Sequence, residues 1–288
     1  MQDLKALKQL INSNENKRNK RFDETISILD KFVKEKSRFF LNWDNNKPYL
    51  IRGSFAHDLD SDFTTNIDIW ILLKKVSKPD DVEHNMFIFK WFEKTIKEYF
   101  KNYSVSSYQD KSSIEVAIEQ HFTMSFMPFV LDHKGNFRRM FKLKGKLFLD
   151  EETNIKSEPE FNLKLKKVGS RSSIANIKII IISLKIIIQN KCPHISGDII
   201  ENFVLDQYLA QNKVNHSQAF KTIIYKMANG EFEKYIEDKY KTWLKLEKYE
   251  TEFKEFRALA KEIEQKIELK NSMNYVDVLL EYIKKVKA

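Results

Sequence analysis

The sequence predicts an α+β fold, with a mixed β-sheet and helices in the first half and a purely helical lobe packed on it. Three observations carry this. Residues 48 to about 150 alternate strand-like and helix-like patterns. From Leu165 onward the pattern is helical, and only Gly169, Pro193, Gly197 and Gly230 punctuate it, each near a helix end. Between the two lies a polar stretch, Asp150 to Glu160, which contains Pro159 and reads as a linker. The expected domains are residues 1–150, N-terminal helices plus sheet, and residues 160–288, all helical.

Residues 1 to about 45 read as helical, with Ile26, Ile28, Leu29, Phe32 and Val33 roughly on one face. PYLIRGS and NIDIWILLKK read as strands, and Asp80 to Tyr99 as an amphipathic helix entered at Pro79. SSIEVAIEQ and HFTMSFMPFV read as adjacent strands, with Gln120 and His121 for a turn. Ile174 to Ile188 is the most hydrophobic run. It is short for a membrane span and carries Lys178 and Lys185, two turns apart on one face. A buried core helix with its lysines toward a cleft, and no membrane, is expected. Glu231 to Leu269 carries apolar residues at steps of three and four, from Phe232 to Ile267, which define one stripe on a helix. Packing of that stripe on the helical lobe is favoured over dimerisation.

Composition narrows the function classes. With 42% hydrophobic and 32% charged residues the chain is neither disordered nor a membrane protein. The single Cys192 excludes an intramolecular disulfide framework and a multi-cysteine zinc site. The opening MQDLKALKQL is charged and amphipathic rather than a signal peptide, so a reduced, cytoplasmic setting is expected. The net charge of +9 suits an anionic partner, nucleotide or nucleic acid, although a composition generally rich in Lys, Asn and Ile produces it equally well. Basic clusters at Lys17–Arg21, at Arg138, Arg139, Lys142, Lys144 and Lys146, and at Lys164, Lys166, Lys167 and Arg171 could bind RNA. Phe137, Phe141 and Phe148 interleave with the second. Chance clustering among so many lysines is the favoured reading. Cys192-Pro193-His194 reads as a helix-ending turn rather than a reactive pair, and His57 as a loop histidine that could meet a phosphate.

The chemistry centres on residues 51 to 73, IRGSFAHDLDSDFTTNIDIWILL. Gly53-Ser54 forms a turn whose backbone can approach phosphates. Asn66 and Asp68 then stand one residue apart on a strand, so both point to one face. A pair of carboxylates at such positions would hold magnesium ions. Here only Asp68 is an acid.

This pattern resembles the polymerase-β-like nucleotidyltransferases, and within them the CD-NTase family of bacterial cyclic-oligonucleotide synthases, relatives of cyclic GMP-AMP synthase and oligoadenylate synthetase. GSFAHDL resembles that family's Gly-Ser-Phe-Ala-Arg-Gly-Thr segment. FTMSFMPFV, residues 122–130, resembles the strand that supplies a third acid, whose position is Ser125. IISLKIIIQNK resembles the helix whose lysine contacts nucleotide phosphates, which maps to Lys185. ISGDIIENF resembles the following Ser-Ser-Tyr-x-x-Glu segment, mapping to Ser196 and Glu201. The likeness runs in order over residues 48 to about 205. It implies a nucleotidyltransferase palm with a groove past Gly53, Ser54, Asp68, Lys185 and Ser196.

The departures matter as much. Asn66 and Ser125 replace two of three metal-binding acids, Leu59 replaces the Thr, His57-Asp58 the Arg-Gly, and Gly197 the second Ser. The loop acids Asp58, Asp60 and Asp62 are poor substitutes, because such sites need close geometric control. Three readings remain: a binder of nucleotide or nucleic acid with weak or absent magnesium chemistry, acting as a sensor or regulatory subunit in antiviral defence with a possible protein partner; an active synthase with a rearranged metal site; and a scaffold that keeps only the fold.

Overall fold

Apolar alternation and apolar helix faces divide the chain between two units in the computed structural model. Its described residues are 2–11, 15–43, 46–57, 59, 61, 66–77, 81–107, 113–119, 122–143, 146–149, 160–193, 195–211, 215–240, 250–269 and 274–287. The turn expected at Gln120 and His121, the linker up to Pro159 and the loop acids Asp58, Asp60 and Asp62 lie outside them.

The first unit holds the sheet, where the palm was expected. Helix α2 spans Glu15–Glu35, and strands β1 (Tyr49–Arg52) and β2 (Asn66–Val76) follow. Next come α3 (Val82–Tyr99), β3 (Ser104–Ser107), β4 (Ile114–Glu119), β5 (Phe122–Leu131), β6 (Phe137–Leu143) and β7 (Lys146–Leu149). The sheet order is β1-β2-β5-β4-β3, with β6 on β5 and β7 on β6. Among the described strands only the β2–β5 pairing is parallel, so the sheet is mixed.

Strand period two gives the sheet two unlike faces. Ile67, Ile69, Ile71 and Leu73 of β2 are buried with Met124 and Phe126 of β5. They pack against Leu29 and Phe32 of α2 and Ile88, Phe89, Phe92 and Ile96 of α3. Helix α3 starts where the Asp81 side chain accepts from His84 N at 2.9 Å, satisfying one of the open amides of its first turn. On the other face, Trp43, Leu72 and Phe129 form a small apolar cluster with Leu50, Trp70 and Met127.

Strands β3, β6 and β7 were not anticipated. FRRMFKL reads as a basic patch, yet it pairs with β5, with Phe129 opposite Arg139 and Val130 opposite Arg138. The turn into it rests on Asp132, which is 3% exposed. Its carboxylate accepts from Lys134 N at 2.8 Å, Asn136 N at 2.9 Å and Arg138 Nε at 2.9 Å. A buried acid therefore makes the charged strand possible.

The second unit holds α1 (Gln2–Ile11), α4 (Glu160–Lys166), α5 (Arg171–Lys191), α6 (Gly197–Leu209), α7 (His216–Ala228), α8 (Glu231–Tyr240), α9 (Glu250–Leu269) and α10 (Tyr275–Lys287). Helix α5 is long and apolar enough to cross a membrane by length and composition. Every residue from Ile179 to Ile188 is buried, however, as befits a helix at the centre of a bundle. Helices α1, α6, α7, α9 and α10 pack on it.

The structure departs from expectation in two places here. Helix α1 was grouped with the sheet, but Leu7 and Ile11 join the helical core, where α1 packs on α5 and α10. The stripe from Phe232 to Ile267 is not one rod. The rings of Phe232 and Phe256 lie 5.2 Å apart, and Arg257 pairs with Glu233 at 2.9 Å. In a continuous helix those residues would be roughly 36 Å apart. Helices α8 and α9 meet near their N-terminal ends, because their apolar faces serve one core; residues 241–249 fall outside the described set.

Two outcomes follow from this packing. A double-mutant cycle on Phe232→Ala and Phe256→Ala, read by urea unfolding, should show a coupling of about 0.5–1.5 kcal/mol; additive effects would break the α8–α9 contact. The second concerns acid. Burial raises the Asp132 pKa, but the hydrogen bonds from Asn136, Arg138 and Lys134 outweigh it and hold the carboxyl at about 2, against 3.8 for the free side chain. A folded pKa below the unfolded one contributes stability above pH ~4 that is lost as pH falls towards 2. Unfolding of Asp132→Asn across that window should show a weaker fall in stability than the natural protein.

Candidate functional site

Register places the site residues of the palm. Asp68 on β2 lies opposite Ser125 on β5, and Ser125 lies opposite Glu115 on β4. On the other side Asp68 lies opposite Arg52 on β1. Directly paired residues share a sheet face, so Arg52, Asp68, Ser125 and Glu115 form one row across it. Asn66 stands in the neighbouring row, opposite Thr123. This is the face of the Trp43 cluster, opposite α2 and α3. The three positions expected to correspond to metal-binding acids, Asn66, Asp68 and Ser125, are thus brought together on one face.

Gly53 completes the row. Its φ is +70°, which favours glycine, and a Cβ placed there would lie 2.4 Å from Asp68 Oδ2. The turn therefore seats directly against the carboxylate. Ser54 opens a short 3₁₀ turn, Ser54–His57, which ends at His57.

Asn66 engages the acid two residues on. Its Nδ2 donates to Asp68 Oδ1 at 3.1 Å. An amide donor thus occupies a lone pair of the remaining carboxylate where a second carboxylate would add negative charge. Ser125 is 3% exposed and contributes a neutral hydroxyl. Divalent cations of the magnesium type take hard oxygen ligands, and carboxylates or phosphates among them supply the balancing charge. Among the described residues no group of three His, Cys, Asp or Glu side chains gathers at one point. Asp68, Asn66 and Ser125 do not fit a pair of magnesium ions. One ion shared between Asp68 and the phosphates of a ligand is the most this donor set supports.

The helical unit contains the other expected residues, and there the sequence reading needs correction. Lys185 was expected to offer its charge to phosphates from a cleft. It is 6% exposed, and its Nζ donates to Glu201 Oε1 at 2.5 Å and to Leu59 O at 3.3 Å. Its charge is met inside the unit by a carboxylate that is itself 1% exposed. The other departures fit this arrangement. Leu59, in place of a Thr, is buried in the helical core and supplies the carbonyl. At Gly197, in place of a Ser, a Cβ would lie 3.0 Å from Lys185 Cε. Glycine leaves room for the lysine to fold towards Glu201. Ser196 is exposed at the start of α6, and its hydroxyl donates to Asp198.

Several basic residues are also spoken for. Arg21 pairs with Glu119 at 2.6 Å, Arg138 with Asp132 and Lys164 with Asp206 at 2.6 Å. Phe137 stacks on Trp43 rather than standing out as a base platform. The side chains of Lys17, Arg18, Phe141, Lys142, Lys144, Lys146 and Phe148 lie outside the described set. Cys192 is fully buried at the end of α5, where its Sγ donates to Glu252 O at 3.1 Å. Burial and nearby acids push the thiol up to about 12. His194 lies outside the described residues.

Sequence reasoning missed Arg52 and Glu115. Alternation in IEVAIE places Glu115 on a polar strand face, but its neighbourhood to Ser125 comes from a long-range pairing. Arg52 directly precedes the glycine of the motif and was passed over.

Three solved structures share this architecture at low identity. The structure of the E. coli MS115-1 CdnC:HORMA-deltaN complex aligns with a TM-score of 0.66 at 12% identity, over 99% of this chain and 96% of that one. Vibrio cholerae DncV cyclic AMP-GMP synthase, in complex with the linear intermediate pppA(3',5')pG, aligns at 0.56 and 10% identity, over 83% and 68%. E. coli MS115-1 CdnC with ATP aligns at 0.55 and 14% identity, over 79% and 72%. No family model and no curated protein sequence matches the chain. The fold is that of the CD-NTases, a polymerase-β-like nucleotidyltransferase fold.

The Lys185–Glu201 pair has a measurable signature. Glu201→Leu leaves a buried ammonium without its carboxylate and should cost about 3–5 kcal/mol in urea unfolding. Adding Lys185→Met should recover most of that loss. A cost below about 1 kcal/mol for Glu201→Leu would remove the pair from the core.

Proposed function

We propose that this protein binds a nucleoside triphosphate on the Asp68 face of its sheet and does not polymerise it efficiently. The observation that carries the reading is the hydrogen bond from Asn66 Nδ2 to Asp68 Oδ1. Nucleotidyl transfer needs enough negative charge at one point to hold metal ions against both the attacking and the leaving oxygen. Here one carboxylate remains, and a neighbouring amide partly engages it. The Gly53 turn seated against that carboxylate is the feature of a nucleotide site that stays intact. A protein that keeps the turn and gives up the charge suits binding better than turnover. It would act as a sensor or regulatory subunit with a protein partner, and antiviral defence is the setting that family analogy offers. The similarity to CdnC, solved with ATP and in a complex with HORMA-deltaN, supports looking for both kinds of ligand.

One observation favours a second reading, an active synthase of cyclic or linear oligonucleotides with a rearranged metal site. Glu115 stands one strand beyond Ser125 in the Asp68 row, so a carboxylate lies next to the position that lost one.

A labelled-nucleotide turnover assay with magnesium and with manganese separates the two. It compares the natural protein, Asp68→Ala, Glu115→Gln, and an Asn66→Asp, Ser125→Asp double variant. The binding reading expects no product from the natural protein, product from the double variant, and a thermal shift of the natural protein with ATP. Product from the natural protein that disappears in both Asp68→Ala and Glu115→Gln would establish the second reading instead.

A further inference from the structure

An anionic ligand on the palm needs a cation there. We propose that Arg52 is that cation, an anion-binding residue that takes a phosphoryl group of a nucleotide held beside Gly53. The proposal rests on the nucleotide-binding reading for the identity of the ligand, and on the surroundings of Arg52 for the site.

Arg52 ends β1 immediately before the Gly53 turn and shares a sheet face with Asp68, its partner in the ladder. Its guanidinium does not pair with that acid. It lies over the ring of Trp70, with Cζ 4.9 Å from the ring centroid. Its Nε is buried and has no hydrogen-bond partner. Among the described residues no carboxylate forms an ion pair with it. Two other arginines of the same unit are closed by carboxylates, Arg21 by Glu119 and Arg138 by Asp132. The indole below is fixed in turn, since Trp70 packs on Phe129 with ring centroids 4.6 Å apart.

A partly buried charge without a counter-charge is costly, and buried charges in folded proteins are paired as a rule. The attraction of the indole face offsets part of that cost and holds the guanidinium flat. No carboxylate occupies its planar fork of N–H donors, whose geometry matches two oxygens of a phosphate. Burial also lowers the Arg52 pKa, with no acid opposing the shift. An incoming phosphate would supply the missing charge.

Thermal shift and calorimetry test this on the full chain in EDTA, with ATP, adenosine and inorganic tripolyphosphate as separate probes. Arg52→Met keeps the stem on Trp70 and removes the charge. Arg52→Lys keeps the charge and removes the fork. Circular dichroism of both variants without ligand checks that they fold. The expected result is a tripolyphosphate shift in the natural protein that is absent in Arg52→Met and smaller in Arg52→Lys. ATP affinity should fall at least tenfold in Arg52→Met, and adenosine should bind all three alike or not at all. A tripolyphosphate shift in the natural protein with no ATP binding would keep Arg52 as an anion site and sink the nucleotide reading. Equal ATP affinity in the natural protein and Arg52→Met would do the reverse. A tripolyphosphate shift that is equal in both, or absent from the natural protein, overturns the proposal.

Discussion

The parallel register of β2 on β5 is the constraint on which the site depends. Asp68 opposite Ser125 fixes which residues of two distant segments share a face. A slip of one residue would turn Asp68 into the layer occupied by Ile67 and Ile69 and bring isoleucines to the other side. The helices prevent this slip. Leu29, Phe32, Ile88 and Phe89 cover only the isoleucine face, so burial energy selects one register. The rest of the row follows. Glu115 is placed by Ser125, Arg52 by Asp68, and the residue at position 53 must be small because Asp68 Oδ2 occupies the space of its Cβ.

The substitutions that set this chain apart form two closed groups. In the palm, the neutral Asn66 and Ser125 leave Asp68 supported by an amide rather than crowded by a like charge. In the helical unit, Leu59, Lys185, Gly197 and Glu201 belong together. The carbonyl of the first, the ammonium of the second, the open space of the third and the carboxylate of the fourth form one buried polar knot. Such a knot is kept only when every member is satisfied. The differences from the family pattern are therefore correlated rather than scattered.

Much of this was readable from local pattern. The alternation of NIDIWILL identifies β2 and its polar face, and the isoleucine run of α5 reads as a buried helix without further information. What escaped depended on partners far away in the chain. FRRMFKL carries three charges in seven residues, and nothing nearby says that a buried Asp132 and the edge of β5 make it a strand. Lys185 looks like a cation facing a cleft until Glu201, one helix later, is folded against it. The stripe from Phe232 to Ile267 is correct as a face and wrong as a rod, because periodicity records which side of a helix is apolar and not where the chain reverses.

The burial of Cys192 has a practical side. The only thiol of the chain is sealed in the helical core, bonded to a carbonyl and held in its unreactive form at ordinary pH. Maleimide reagents would therefore find no native target while the protein is folded. A cysteine introduced at Phe87, which is 64% exposed on α3 away from the Asp68 face, would carry a fluorophore or spin label at one defined place. The natural sequence thus serves as a background without a reactive thiol for spectroscopy.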